Sequence, residues 1–176
     1  MLAAASGGSK AWIYHYYASK EAVLFDLLCT YTDDLLTVVR AAADPTLEPR
    51  ARFAALIAAI LRSYDDAQSR HAAILNDLAR LPDAQRDQIR AAQREVVDVV
   101  AAALSDVDPR LADRCDLLLP VTMSVFGMLN WHYRWFRSDG ALSPDGYVDM
   151  IVALVLDGLD GLPGLEDRAL NVAMRA

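Results

Sequence analysis

The side chains with the widest chemical repertoire in this 176-residue chain gather near its start. Residues 9–22 read Ser-Lys-Ala-Trp-Ile-Tyr-His-Tyr-Tyr-Ala-Ser-Lys-Glu-Ala, and the chain's two lysines, Lys10 and Lys20, flank Trp12, Tyr14, His15, Tyr16 and Tyr17. Cations and aromatic rings at this density suit recognition, because they pair with phosphate, stack and donate hydrogen bonds. Bond-making chemistry has no comparable constellation. No carboxylate pair, Cys/His cluster at metal-ligand spacing or Ser/His/Asp arrangement stands out, so no catalytic site and no metal site is expected. His71 and His132 each stand alone and read as hydrogen-bonded packing residues. Gly158-x-x-Gly161-x-x-Gly164 follows no strand and is not a phosphate loop.

The elements that position these groups are helical. Apolar residues recur every three or four positions, and no stretch alternates with period two between turn residues, so the expected fold class is all-α. A helix over about Lys20–Ala42 carries Leu24, Leu28, Tyr31, Leu35 and Val38 on one face, and Asp44-Pro45 breaks it. Pro49 opens the next, to about Ala67, with the stripe Phe53, Leu56, Ile57, Ile60 and Tyr64. A shorter helix over about Arg70–Arg80 carries Ile74, Leu75 and Leu78. Pro82-Asp83 starts another, to about Leu104. Asp108-Pro109 starts a long helix reaching about Phe136, with Pro120 expected to kink it. Ser143-Pro144-Asp145 caps a last helix to about Leu159, faced by Tyr147, Met150, Ile151, Leu154 and Val155.

Composition narrows the function classes. The chain is 55% apolar, enough for a sizeable core in a single domain. Its longest uncharged apolar stretch, Leu117–Asn130, falls short of the roughly 20 residues that span a bilayer. Met1–Ser9 has no basic n-region or sustained apolar run, so a signal peptide is not expected and a cytoplasmic location follows. Cys29 and Cys115 lie in apolar helical patterns without a CxxC partner, as packing residues do. The net charge is −7, but residues 1–20 carry +2 and the remainder −9. A small basic head on an acidic body suits a nucleic-acid reader joined to a partner-binding body.

The full spacing Ser-Lys-x-x-x-Tyr-x-x-x-x-Ser-Lys-Glu-Ala resembles the recognition helix and the following linker helix of TetR-type transcriptional repressors. Aromatic density alone would fit a plain packing helix; the complete spacing decides against it. The resemblance implies an all-α, TetR-like regulatory domain with a remnant helix-turn-helix at the N-terminus. It implies that Lys10, Ala11 and Trp12 meet base edges in the major groove, and that Tyr14, His15 and Tyr16 touch bases and phosphates. It places Lys20 near a phosphate, favoured by its charge and by the helix dipole. Ile13 and Tyr17 would face inward. The implied organisation is a helix-turn-helix remnant at 1–20, with the recognition helix at about 9–17. A linker helix plus ligand-binding and dimerisation domain follows at 21–162, then a flexible tail at 163–176.

Phe126-Gly-Met-Leu-Asn-Trp-His-Tyr-Arg-Trp-Phe136, followed by Leu142-Ser-Pro144, is similar to the last two helices of the subgroup that senses acyl-CoA thioesters, including phenylacetate-pathway repressors. That similarity implies no bound cofactor, an acyl-CoA effector with an aromatic or medium-chain acyl group, and a homodimer through helices at about 111–137 and 144–159. An apolar cavity is expected among the helices at 49–67, 82–104 and 111–137. Its candidate lining is Phe53, Tyr64, Met123, Phe126 and Trp131, with Arg62, Arg86 or Arg90 meeting the CoA phosphates. The complete form would bind operator DNA as a ligand-responsive repressor, with no membrane and no enzymatic step.

Family members carry most of two more helices before the recognition helix, where this sequence has Met1–Ser6. The chain as it stands is therefore expected to bind DNA weakly and without sequence preference, since the missing helices position the recognition helix in the groove. A start site assigned too late and a truncated gene both fit. The other reading is a DNA-silent small-molecule-binding or dimerisation protein that forms mixed dimers with full-length paralogues.

Overall fold

The computed structural model describes residues 16–162 and residue 165. The expectations for Lys10, Ala11, Trp12, Tyr14 and His15 fall outside the described residues, as does most of segment 163–176. Six α-helices are present among the described residues, and no strand: α1 (Lys20–Ala42), α2 (Pro49–Asp66), α3 (Gln68–Asp77), α4 (Asp83–Val107), α5 (Cys115–Trp131) and α6 (Pro144–Leu156). None of the described helices is long and apolar enough to cross a membrane.

Three of the starts have a clear local cause. Ser19 caps α1, its Oγ accepting the amide of Ala22 at 3.1 Å. Ser143 caps α6 in the same way through Gly146 N, and proline follows at the first helical position. Pro49 opens α2 likewise. Ahead of α1, the Tyr17 hydroxyl donates to Asp26 Oδ2 at 2.5 Å, which ties the preceding segment to the first turns of the helix.

The apolar stripes meet in one core. α1 packs on α4 and α2; α2 also packs on α4 and α6, and α5 closes over α4 and α6. The stripe of α2 is buried as its periodicity requires: Phe53, Leu56, Ile57 and Ile60 are wholly inaccessible, and Tyr64 nearly so. On α1 the buried face is rotated slightly from the expected one. Val39 is fully buried and Val38 points outward, because Leu28, Tyr31, Thr32, Leu35 and Leu36 set the contact with two neighbouring helices. α6 divides its apolar residues between two sides. Tyr147, Val148, Ile151 and Val152 face the core, while Met150 and Leu154 face outward.

The expected long helix from Asp108-Pro109 to Phe136 is three pieces. A 3-10 turn spans Pro109–Leu111, α5 spans Cys115–Trp131, and a second 3-10 turn spans His132–Arg134. The first break is held by Arg110. Its guanidinium grips the Asp108 carboxylate twice, donates to the Leu165 carbonyl at 2.9 Å and reaches Asp160 at 2.6 Å. Asp108 also accepts the Arg110 amide, which stops a smooth run from α4 into α5. At the far end the coil tightens so that His132 can lie buried between Phe136 and Tyr147, with ring centroids 4.4 and 5.0 Å away. The last helix stops at Leu156, and a 3-10 turn at Leu159–Gly161 follows.

Phe53 lies at the centre of this core, so Phe53→Ala removes a ring that its neighbours cannot replace. The expected loss of unfolding free energy is about 3–5 kcal/mol, read from urea denaturation followed by far-ultraviolet circular dichroism. A loss below about 1 kcal/mol would place the centre of the core elsewhere.

Candidate functional site

Five helices surround a cavity of about 210 Å³. α1 contributes Tyr31, Thr32 and Leu35; α2 contributes Tyr64; α3 contributes His71, Ile74 and Leu75. Gln93, Val96 and Val97 come from α4, and Met123, Phe126 and Asn130 from α5. The helical period produces these sets. Thr32 and Leu35, Gln93 and Val96, and Met123 and Phe126 are each three residues apart, so each pair shares a face of its helix.

Among the five candidates named from sequence, Tyr64, Met123 and Phe126 stand together on this wall. Phe53 does not: it is fully buried on α2 and packs in the core. Trp131 stands outside the lining as well. It lies at the end of α5 and is 60% exposed, with the Arg134 guanidinium 5.5 Å from its ring centre. The expected cavity omitted α1 and α3, which supply six of the lining residues. The signal was available in the polar groups Tyr31 and His71, set on otherwise apolar helical faces.

The wall is built around a neutral polar network. The Tyr31 hydroxyl and His71 Nδ1 share a hydrogen bond at 2.9 Å, and the Tyr64 hydroxyl donates to Asn130 Oδ1 at 3.0 Å. The rings of Tyr64 and His71 stack with centroids 3.7 Å apart, and Tyr133 meets His71 edge-on at 5.5 Å. Thr32 Oγ1 turns back to the Leu28 carbonyl at 2.8 Å. Burial penalises every charged form here. It pushes the His71 pKa down to about 4, outweighing the opposing pull of the Asn130 backbone carbonyl, and it pushes both tyrosine hydroxyls well above their ordinary range. All of these groups are uncharged at neutral pH.

Cations stand off the cavity wall. Arg62 lines a separate hollow of about 110 Å³ with Asp65, His132 and Asp145. Arg86 is paired with Asp83 at 2.6 Å and Arg90 with Asp87 at 3.8 Å. A third hollow, of about 160 Å³, shares Tyr31 and Leu35 with the main cavity, and there Arg70 lies 3.6 Å from Asp34. Of the residues expected at nucleic acid, Tyr16 is 66% exposed and Lys20 is exposed in the first turn of α1. Cys29 is half-buried, and burial pushes its thiol pKa up, so it is not poised as a thiolate. No group of three or more potential metal ligands occurs among the described residues.

An outward apolar row runs along α5. Leu119, Met123 and Trp131 are each at least half exposed, and Gly127, in the same row, faces open space. On α6, Met150 and the 62% exposed Leu154 also face outward.

Comparison with known proteins gives a consistent result. The family profile described as Tetracyclin repressor-like, C-terminal domain, matches residues 46–159. The HTH-type transcriptional repressor KstR2 of Rhodococcus jostii (strain RHA1) is 25% identical over 164 residues, covering 90% of this chain and 78% of that protein. A TetR-family transcriptional regulator from Bordetella parapertussis 12822 is 40% identical and superposes with a TM-score of 0.82 over 91% of this chain and 83% of that one. AibR, solved in complex with isovaleryl coenzyme A and operator DNA, is 27% identical with a TM-score of 0.72, covering 86% and 83% of the two chains.

The depressed pKa of His71 has a consequence for stability. The unfolded chain takes up this proton near the ordinary value of 6.5, the folded chain only near about 4. Between those values the unfolded state holds more protons, so stability is intact above pH 6.5 and falls as the pH drops towards 4. His71→Phe should flatten that decline in urea midpoints measured between pH 7 and 4.5. What remains is the contribution of His132, whose pKa burial also lowers. An unchanged slope in the variant would exclude His71 as its source.

Proposed function

The chain belongs to the TetR family of transcriptional regulators, and on that footing we propose that it is a ligand-responsive repressor whose effector is an acyl-CoA. Its membership makes it a regulator rather than an enzyme. The observation that carries the effector reading is the cavity of about 210 Å³, whose wall includes Tyr31, Thr32 and Leu35 of α1. A cavity of about 150 Å³ lined by aliphatic and aromatic side chains already takes a benzene ring. A compact aromatic or medium-chain acyl group suits this one, held by Tyr64, Met123 and Phe126. The likeness to AibR, seen with isovaleryl coenzyme A and operator DNA, supports both halves of the reading. The CoA phosphates would lie outside the uncharged wall. Arg90, one turn before Gln93 on α4, and the adjacent Arg94 are the nearest exposed cations in sequence to that wall.

In the repressor, Lys10, Ala11, Trp12, Tyr14, His15 and Tyr16 form the operator-reading segment and Lys20 meets a phosphate. Residues 21–162 form the linker helix and the effector-binding and dimerisation body. The protein works in the cytoplasm as a homodimer through α5 and α6. The support for that interface is the outward row of Leu119, Met123 and Trp131 on α5, together with the outward-facing Met150 and Leu154 on α6. Obligate interfaces of this kind bury about 2,000 Å² or more. Effector binding against α1 would change the spacing of the two operator-reading segments, a coupling typically worth about 1–3 kcal/mol.

Two measurements test this. A thioester that binds only the native state, present at about a hundred times its dissociation constant, should raise the melting temperature by about 5–10 °C. Phenylacetyl-CoA and a series of fatty-acyl-CoAs are the ligands to screen. A clear shift with an unrelated apolar compound and none with any thioester would remove the acyl-CoA reading. For the interface, Leu154→Glu is expected to convert a dimer into a monomer or aggregate by light scattering at micromolar concentration. A wild-type monomer would count against it.

A further inference from the structure

We propose that Asn130 and Gln93 are specificity-determining residues, whose side-chain amides take the carbonyl oxygen of an uncharged acyl derivative and thereby exclude the corresponding free carboxylate. The proposal rests on the reading of this cavity as the effector site and deepens it.

The hydrogen-bond inventory of the wall carries the argument. The Tyr64 hydroxyl donates to Asn130 Oδ1, and that bond orients the amide. Both N–H groups of Asn130 Nδ2 are then uncommitted. Gln93, facing the same space from α4, makes no hydrogen bond within the protein. The other polar groups are spent. Tyr31 donates to His71, and Thr32 donates to its own helix. A phenol gives its proton to an imidazole nitrogen more readily than the reverse, so His71 Nδ1 accepts and Nε2 carries the hydrogen. Nε2 has almost no accessible surface and makes no well-formed hydrogen bond, so it is not presented to a ligand as the amides are. The donors left for a ligand are therefore amide N–H groups on two walls.

Charge decides what they can hold. None of the lining residues is acidic or basic, and burial keeps His71 and both tyrosines neutral at physiological pH. A carboxylate entering here would shed its hydration and find no cation, which costs far more than two neutral donors return. A neutral carbonyl needs no cation. Its oxygen accepts from the amides while Leu35, Ile74, Val96, Val97 and Phe126 surround the hydrocarbon. A site that hydrogen-bonds a polar group also rejects ligands without it, because its own donors are then left unpaired.

The test uses the full chain and isothermal titration calorimetry at pH 7. The probes are the N-acetylcysteamine thioesters and methyl esters of octanoic and phenylacetic acids, set against sodium octanoate and phenylacetate. Thioester or ester should bind at least about tenfold more tightly than the acid, and ethylbenzene should bind more weakly than methyl phenylacetate. Asn130→Leu combined with Tyr64→Phe removes both N–H groups together with the hydroxyl that would otherwise be left unpaired. Gln93→Met removes an amide that bonds nothing in the protein, so it should leave folding intact. Each should weaken thioester binding by about tenfold or more, whereas Gln93→Met should leave ethylbenzene binding as tight or tighter, since one unpaired donor is gone. An acid binding within about threefold of its thioester overturns the proposal. So does unaltered thioester affinity in both variants, or no binding by any of the carbonyl probes. If CoA thioesters fail while the small esters bind in an amide-dependent way, the acyl-CoA reading falls and this inference stands. If CoA thioesters bind equally to wild type and both variants, the reading stands and this inference falls.

Discussion

A phenol or an imidazole left without a partner in an apolar interior costs more than most single packing contacts provide. Tyr31, Tyr64 and His71 are all buried; each hydroxyl, and Nδ1 of the imidazole, has its partner on a different helix. Tyr31 of α1 reaches His71 of α3, Tyr64 of α2 reaches Asn130 of α5, and the His71 ring stacks on Tyr64 between them. Four helices are thereby held in one register by groups that apolar packing alone would leave free to slide. The same bonds set the cavity's character, since they consume the hydroxyl donors and leave the amides of Asn130 and Gln93 exposed to whatever enters.

α1 belongs both to this network and to the segment before it. Tyr31 lies eleven residues beyond Lys20, about 16 Å along the helix at 1.5 Å per residue. The helix start is secured by the Ser19 cap and by the bond from Tyr17 to Asp26. In the regulator proposed above, a ligand pressing on Tyr31, Thr32 and Leu35 acts on a stiff rod with its far end fastened to the operator-reading segment. No chain of intermediate contacts is needed to carry the displacement.

Helix identity was legible in the sequence wherever a cap or proline coincided with a strong apolar period, as at Ser19, Pro49, Pro82-Asp83 and Ser143-Pro144. The stripe of α2 could be read residue by residue because one side of that helix is wholly interior. Faces with two neighbours were harder. Val38 and Val39 are equally apolar, and only the packing of α1 across α2 and α4 decides that Val39 turns in. The break between α4 and α5 depends on Arg110 meeting Asp160 and Leu165, some fifty positions away, and no local pattern announces such a contact. For the cavity, apolar bulk singled out Tyr64, Met123 and Phe126, which share its wall, along with Phe53, which lies in the core, and Trp131, which lies at the surface. Distinguishing wall from core requires knowing where packing stops, and composition does not carry that information.

The grip of Arg110 makes a closed circuit of the C-terminal part of the chain. Beginning at Asp108, the backbone runs through α5 and α6 and returns at Asp160 and Leu165 to within hydrogen-bond distance of where it set out. Helices at chain ends ordinarily unravel from the tip inward, each turn loosening the next. Here the segment after α6 is fastened to the root, so peeling α6 away requires the two charge-assisted hydrogen bonds from Arg110 to Asp160 and Leu165 to part. Fraying of α6 from its C-terminal end is opposed at the outset by that tie, and the outward residues Leu119, Met123, Trp131 and Leu154 are presented by a stretch of chain closed at both ends.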